Sequence, residues 1–117
     1  MISVSVQGAE KVLAALDQAA TKTERKIVTA VYASAFRIQA AARRAVGVDT
    51  GRLRSSVFVR FLEGGKAAEV GTDVFYGPFQ EYGTRYMSPR PFLVPAYEAE
   101  REKFLARIER ITSEVAT

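Results

Sequence analysis

The sequence predicts an α+β fold: a small, mostly antiparallel sheet with a long helix and a C-terminal helix packed against it. Three observations carry that expectation. Residues 24–45 form a long pattern of helical period, residues 53–72 read as a hairpin, and residues 96–115 close the chain with a second helical stripe. The 117 residues suit one ordinary domain spanning 1–117.

Ile2, Val4 and Val6 alternate with serines, so the chain opens with a short half-buried strand before Gly8 breaks it. A short helix is expected over about Ala9–Ala20, with Val12, Leu13 and Leu16 on one face. Thr21 and Glu24 then have the spacing of a capping box, in which Thr accepts from a free backbone N–H and Glu reaches back. The long helix follows, about Glu24–Ala45. Ile27, Val31, Ile38 and Ala42 form its stripe, and Val28, Tyr32, Ala35 and Phe36 widen it. Arg43 and Arg44 close it, where cations favour the helix dipole.

Val48–Gly51 reads as a turn, because Gly takes positive φ freely. Leu53–Leu62 reads as the best strand, with Leu53, Val57, Val59 and Phe61 on one face and Arg54, Ser56, Phe58 and Arg60 on the other. Glu63–Lys66 is a hairpin turn whose Gly-Gly pair suits a primed type, and Ala67–Thr72 returns as a strand. Phe75–Arg90 is dense in Tyr, Gly and Pro and reads as a structured loop with room for one short helical turn or strand. Pro91 suits the first turn of a helix, and Pro95 suits a position near its start. The last helix, about Ala96–Val115, carries Phe104, Ile108, Ile111 and Val115 inward. Glu98, Arg101, Glu102, Arg107 and Glu109 fall on its wet face.

Composition removes several classes of function. With no Cys and no His, a disulfide scaffold, a zinc centre, a Cys nucleophile and His-based proton transfer are all excluded. No acidic cluster has ligand-like spacing, and no cofactor is expected. No apolar run approaches the ~20 residues that span a bilayer. The N-terminus has neither the basic start nor the apolar stretch of a signal peptide, so the chain is expected in the cytoplasm when made, with no membrane contact.

Four constellations remain. Asp49–Ser56 combines a Gly turn with arginines and serines, which could hold a phosphate, yet it lacks the P-loop spacing and reads as a turn into a strand. Arg37, Arg43, Arg44, Arg52, Arg54 and Arg60 form a basic set. They could follow a nucleic-acid backbone, but no aromatic ladder accompanies them; a solvated face or contact with a neighbour's carboxylates is the simpler reading. Tyr76–Thr84 holds Glu81 among aromatics, with no second carboxylate or nucleophile beside it, which argues against catalysis. Tyr and Arg at this density suit an interface, though the rings could equally plug the end of the sheet. The last helix spans only about three heptads, so it suits a core-facing helix better than a coiled coil.

Taken in order, Val48–Ser56, Val70–Asp73, Tyr76–Thr84 with Glu81-Tyr82-Gly83-Thr84, and Arg90-Pro91-Phe92-Leu93-Val94-Pro95-Ala96 resemble the gp-ten-like tail-component family of siphophages. The likeness covers nearly the whole chain. Val48 departs from it, because the family often has Pro before the Thr-Gly turn. The resemblance implies a non-enzymatic virion protein of the head–tail junction: tail-completion first, then tail terminator or head closure. It implies a ring, commonly hexameric, between head connector and tail tube, made in the host cytoplasm, with genomic DNA passing through. On that reading Arg52, Arg54 and Arg60 of the hairpin, or Tyr76, Phe79, Glu81, Tyr82, Thr84, Tyr86 and Arg90, meet the next protomer or ring. Glu81 would pair with an arginine such as Arg52, Arg54 or Arg90. The alternative is a nucleic-acid-binding module that uses the arginine-rich turn and hairpin.

Overall fold

The computed structural model describes residues 2–6, 21–46 and 51–116. Strand β1 (Ile2–Val6) is followed by helix α1 (Thr21–Ala45), a short helix α2 (Gly51–Ser56), strand β2 (Phe58–Leu62), strand β3 (Ala67–Thr72), a short helix α3 (Gly77–Tyr82) and helix α4 (Val94–Ala116). This is the expected α+β architecture. The expected helix over Ala9–Ala20 and most of the Val48–Gly51 turn lie outside the described residues.

The three strands form one antiparallel sheet in the order β1-β3-β2. Val4, Val70 and Val59 stand in one row across it, since Val70 is the partner of both others. That row belongs to the apolar face, together with Ile2, Ala68 and Phe61. Alternate residues point to opposite faces of a sheet, so Ser3, Ser5, Arg60 and Glu69 fall on the other side. There Arg60 pairs with Glu69 at 3.2 Å and lies over the Phe58 ring.

Helix α1 begins at Thr21, one turn before the predicted start, and puts Ile27, Val31, Ala35, Ile38 and Ala42 into the core. Tyr32 and Phe36 do not widen the buried stripe as expected; both stay half exposed. They rest instead on Phe61 of the edge strand, Tyr32 stacked at 3.9 Å and Phe36 edge-on at 5.7 Å. An edge strand covers a helix on one side only, which leaves the outer ring faces wet.

The predicted strand over Leu53–Leu62 is corrected in its first half. Residues 51–56 are helical, and pairing starts at Phe58. Leu53 is wholly buried there, a burial that contributes about 2 kcal/mol. The serines favour the helical turn: Ser55 and Ser56 hydroxyls reach the carbonyls of Arg52 and Leu53. Ser56 Oγ also shares a 2.6 Å hydrogen bond with Thr72 Oγ1, tying α2 to β3. The hairpin itself is as expected, but its loop has four residues, Glu63–Lys66, rather than a two-residue primed turn. Glu63, Gly64 and Gly65 all take positive φ, and the glycines make that run inexpensive.

Helix α4 starts at Val94, with Pro95 in its first turn, where a missing N–H is no loss. Pro91 lies before the helix and not in its first turn. The helix runs antiparallel to α1, since Lys26 meets Glu114 while Arg37 meets Glu100. Phe104 and Ile108 are buried as expected. Arg107 is not on the wet face. It is drawn into the seam, where its Nη1 donates to Ser34 Oγ at 2.9 Å and to Glu100 Oε1 at 3.0 Å.

Candidate subunit interface

Segment 75–93 leaves the sheet from the end of β3 and leads into α4. Its start is set by close packing. Thr72 Oγ1 accepts from the Val74 N–H, and Gly77 sits so near Thr72 that a Cβ would lie 2.8 Å from its methyl. Only a residue without a side chain lets α3 begin against the sheet here. Helix α3 then ends at Gly83, whose N–H donates to the Phe79 carbonyl at 2.8 Å. Gly83 has φ 77° and ψ 177°, a conformation essentially reserved for glycine. A side chain there would also strike Met87 O and Pro89 N, each within 3 Å.

Beyond Gly83 the chain makes a miniature hairpin. Thr84 and Met87 exchange backbone hydrogen bonds of 2.9 and 3.3 Å, and Thr84 Oγ1 accepts from the Tyr86 N–H. Arg85 and Tyr86 form its tip. The return arm is held by the Arg90 N–H, which donates to the Gln80 carbonyl at 2.8 Å.

Glu81 locks the whole segment. It is 3% exposed, and its carboxylate accepts from three successive backbone N–H groups: Phe92 at 3.1 Å, Leu93 at 2.8 Å and Val94 at 3.2 Å. These donors stand at the entry to α4, where helical N–H groups lack intrahelical partners and negative charge is favoured. Within the chain its partners are therefore main-chain groups, not one of the arginines the sequence suggested. Sequence reasoning saw the acid and missed the acceptor role, whose donors lie 11–13 residues further along.

The question left open by the sequence, interface or plug, divides within the segment. Phe92 and Leu93 are fully buried and plug the core, and Tyr76 packs against it half buried. The other rings face out: Phe75 is 75% exposed, Tyr82 65%, Tyr86 90% and Phe79 about half. Phe75 and Met87 belong to this exposed set and were not singled out beforehand; each stands beside a residue that was. Thr84, at the base of the hairpin, and Arg90, on its return arm, are exposed as well.

The six arginines do not gather into one site, although Arg43, Arg44 and Arg54 border one hollow with Gln39, Gly51 and Ser55. Arg37 is engaged with Glu100, Arg60 with Glu69, and Arg43 donates to the Val57 carbonyl at 3.0 Å beside Gln39. Arg44, Arg52 and Arg54 are exposed, with α2 presenting the latter two. Among the described residues no group of three or more acidic side chains could hold a metal ion, and no helix is long and apolar enough to cross a membrane.

A family model described as the bacteriophage HK97-gp10 tail component matches residues 10–83. That span takes in α1, the β2–β3 hairpin and α3 up to the glycine that ends it. No curated protein matches, and no solved structure matches. Because the match covers well over half of the 117 residues, the chain belongs to the HK97-gp10-like family of bacteriophage tail components and is a structural, virion-associated protein.

Proposed function

We propose that the chain acts as a single domain in a ring at the neck of a tailed phage or prophage, joining head connector to tail. Tail completion is the role that fits first, ahead of tail terminator or head closure. The observation that carries this is the outward set Phe75, Phe79, Tyr82 and Tyr86, displayed on a segment whose backbone is fixed by Glu81. Exposed aromatic clusters on rigid backbone mark protein contacts, because they bury large area at little entropy cost.

A second exposed aromatic cluster supports head-to-tail association. Tyr32, Phe36 and Phe61 lie at the hairpin end of the sheet, while segment 75–90 leaves the Thr72 end. The two ends of β3 are about 17 Å apart at the usual strand rise. Unlike surfaces at opposite ends join heterologously, and a ring forms when the rotation closes; the family resemblance implies six copies.

Electron microscopy of the purified protein and of particles containing it tests the proposal. Rings at the head–tail junction are expected. Tyr82→Ala with Tyr86→Ala should abolish them and cut infectious titre by about tenfold or more, with an unchanged melting temperature, since both rings are solvated. Rings that persist at normal titre would remove this segment from the contact. A strict monomer that binds duplex DNA with steep salt dependence would replace the ring with a nucleic-acid role for the arginines.

A further inference from the structure

Helices α1 and α4 leave an open furrow along one side of their seam. On α1 its wall runs in steps of three and four residues from Lys22 through Arg37 to Arg44; on α4 it runs from Ala96 through Arg107 to Glu114. Such steps keep to a single helix face. The furrow consists of two hollows, of about 500 and 260 Å³, which share Arg37 as a common wall. Its floor is apolar, with Ala30, Ala33 and Ile111 at one end and Ala96 and Ala99 at the other.

Eight cationic side chains border this floor against two carboxylates, Glu100 and Glu114. Glu100 is buried and already held by Ser34, Arg37 and Arg107, and Glu114 pairs with Lys26. Lys22, Arg25, Arg44, Lys103 and Arg110 form no ion pair among the described residues. The groove thus carries a clear surplus of positive charge.

We propose that this furrow docks an acidic amphipathic helix from a partner protein of the virion. An apolar floor between two cationic rims is complementary to a helix with a narrow apolar stripe flanked by Glu and Asp. From Lys22 to Arg44 the wall is about 33 Å long, the span of a helix of about 20 residues; the Arg37–Glu100 and Lys26–Glu114 pairs link α1 to α4 along it, so the docked helix lies over them. A nucleic-acid backbone would satisfy the rims but leave the floor without an apolar partner, so the furrow favours the peptide.

The test measures binding of the full chain to three labelled probes by fluorescence anisotropy. The first is a synthetic acidic helix of about 20 residues with Leu and Ala at helical spacing. The second is the same composition with the spacing scrambled, and the third is a short DNA duplex. The striped peptide should bind about tenfold or more tightly than the scrambled one. Lys22→Glu, Arg25→Glu and Arg110→Glu together should weaken it by about 100-fold; all three residues are exposed, so folding is retained. Ala33→Leu, which fills the floor with every charge kept, should weaken it as well; if that variant fails to fold, the triple variant decides. Equal binding of scrambled and striped peptides, an unaffected triple variant, preference for the duplex, or no binding of the striped peptide would each overturn the assignment. None of these readings depends on ring formation.

Discussion

In segment 75–93 the buried carboxylate of Glu81 is met by backbone N–H groups, whereas in the α1–α4 seam that of Glu100 is met by side chains. Glu81 accepts from Phe92, Leu93 and Val94. Glu100 accepts on one oxygen from Ser34, Arg37 and Arg107. The contrast separates two uses of a buried charge. Backbone donors cannot swing away, so Glu81 fixes the path of the main chain and with it the direction of α4. Side-chain donors fix the register of two helices, and Arg37, half exposed, can return to water if its partner is lost. The first arrangement should therefore be the more costly to break.

Glu81→Ala is the most severe way to test that ordering. It strips three buried N–H groups of their acceptor at once, and each such loss costs about 1–3 kcal/mol. At least about 3 kcal/mol is expected, a large part of the ~5–15 kcal/mol that holds a domain together. Urea denaturation measures it. Glu81→Gln keeps one acceptor oxygen and should recover about half of the loss. Loss of infectivity in Glu81→Ala would then follow from misplacing the exposed aromatics, with no arginine partner involved. A variant within about 1 kcal/mol of the parent would show that water replaces the carboxylate, and the contrast would collapse.

Glu100→Ala should cost less, about 1–3 kcal/mol, because Arg37 rehydrates and Arg107 retains its bond to Ser34. A double-mutant cycle with Arg107→Ala sharpens this. Coupling of about 1 kcal/mol or more places the energy in the Glu100–Arg107 pair; coupling near zero assigns it to packing of the seam.

These two regions also show what the sequence could and could not reveal. Helix α1, β1, β3 and the hairpin were legible because their apolar residues recur at helical or alternating spacing over enough residues to choose one period. Residues 51–56 were not. One apolar residue, Leu53, among arginines and serines fits either period, and the helix is chosen by tertiary contacts of Leu53 and Ser56. Arg107 was misplaced because its charge suggested solvent, while Glu100 and Ser34 make the seam polar locally. The outward aromatics were recognisable by type, but their exposure depends on which rings the core can accommodate. Glu81 was the hardest: an acid that binds main-chain groups a dozen residues away has no partner visible in composition.

Lys26 and Glu114 provide the mildest test, as a side-chain pair with no burial behind it. Lys26 Nζ donates to Glu114 Oε2 at 2.7 Å, with both side chains about half exposed. The Lys26 ammonium, through that hydrogen bond and its charge, holds the Glu114 carboxyl below its usual range. The folded state then binds this proton less readily than the unfolded chain. Stability from the pair is complete above the ordinary carboxylate pKa and is lost as pH falls through the depressed one. Melting temperatures of the parent and Lys26→Ala should therefore differ slightly at about pH 7 and converge toward about pH 3. The difference should also fade in about 1 M salt, where exposed charges are screened within about 3 Å. A gap that stays constant across this pH range would mean that the Lys26 stem stabilises by packing and not by charge.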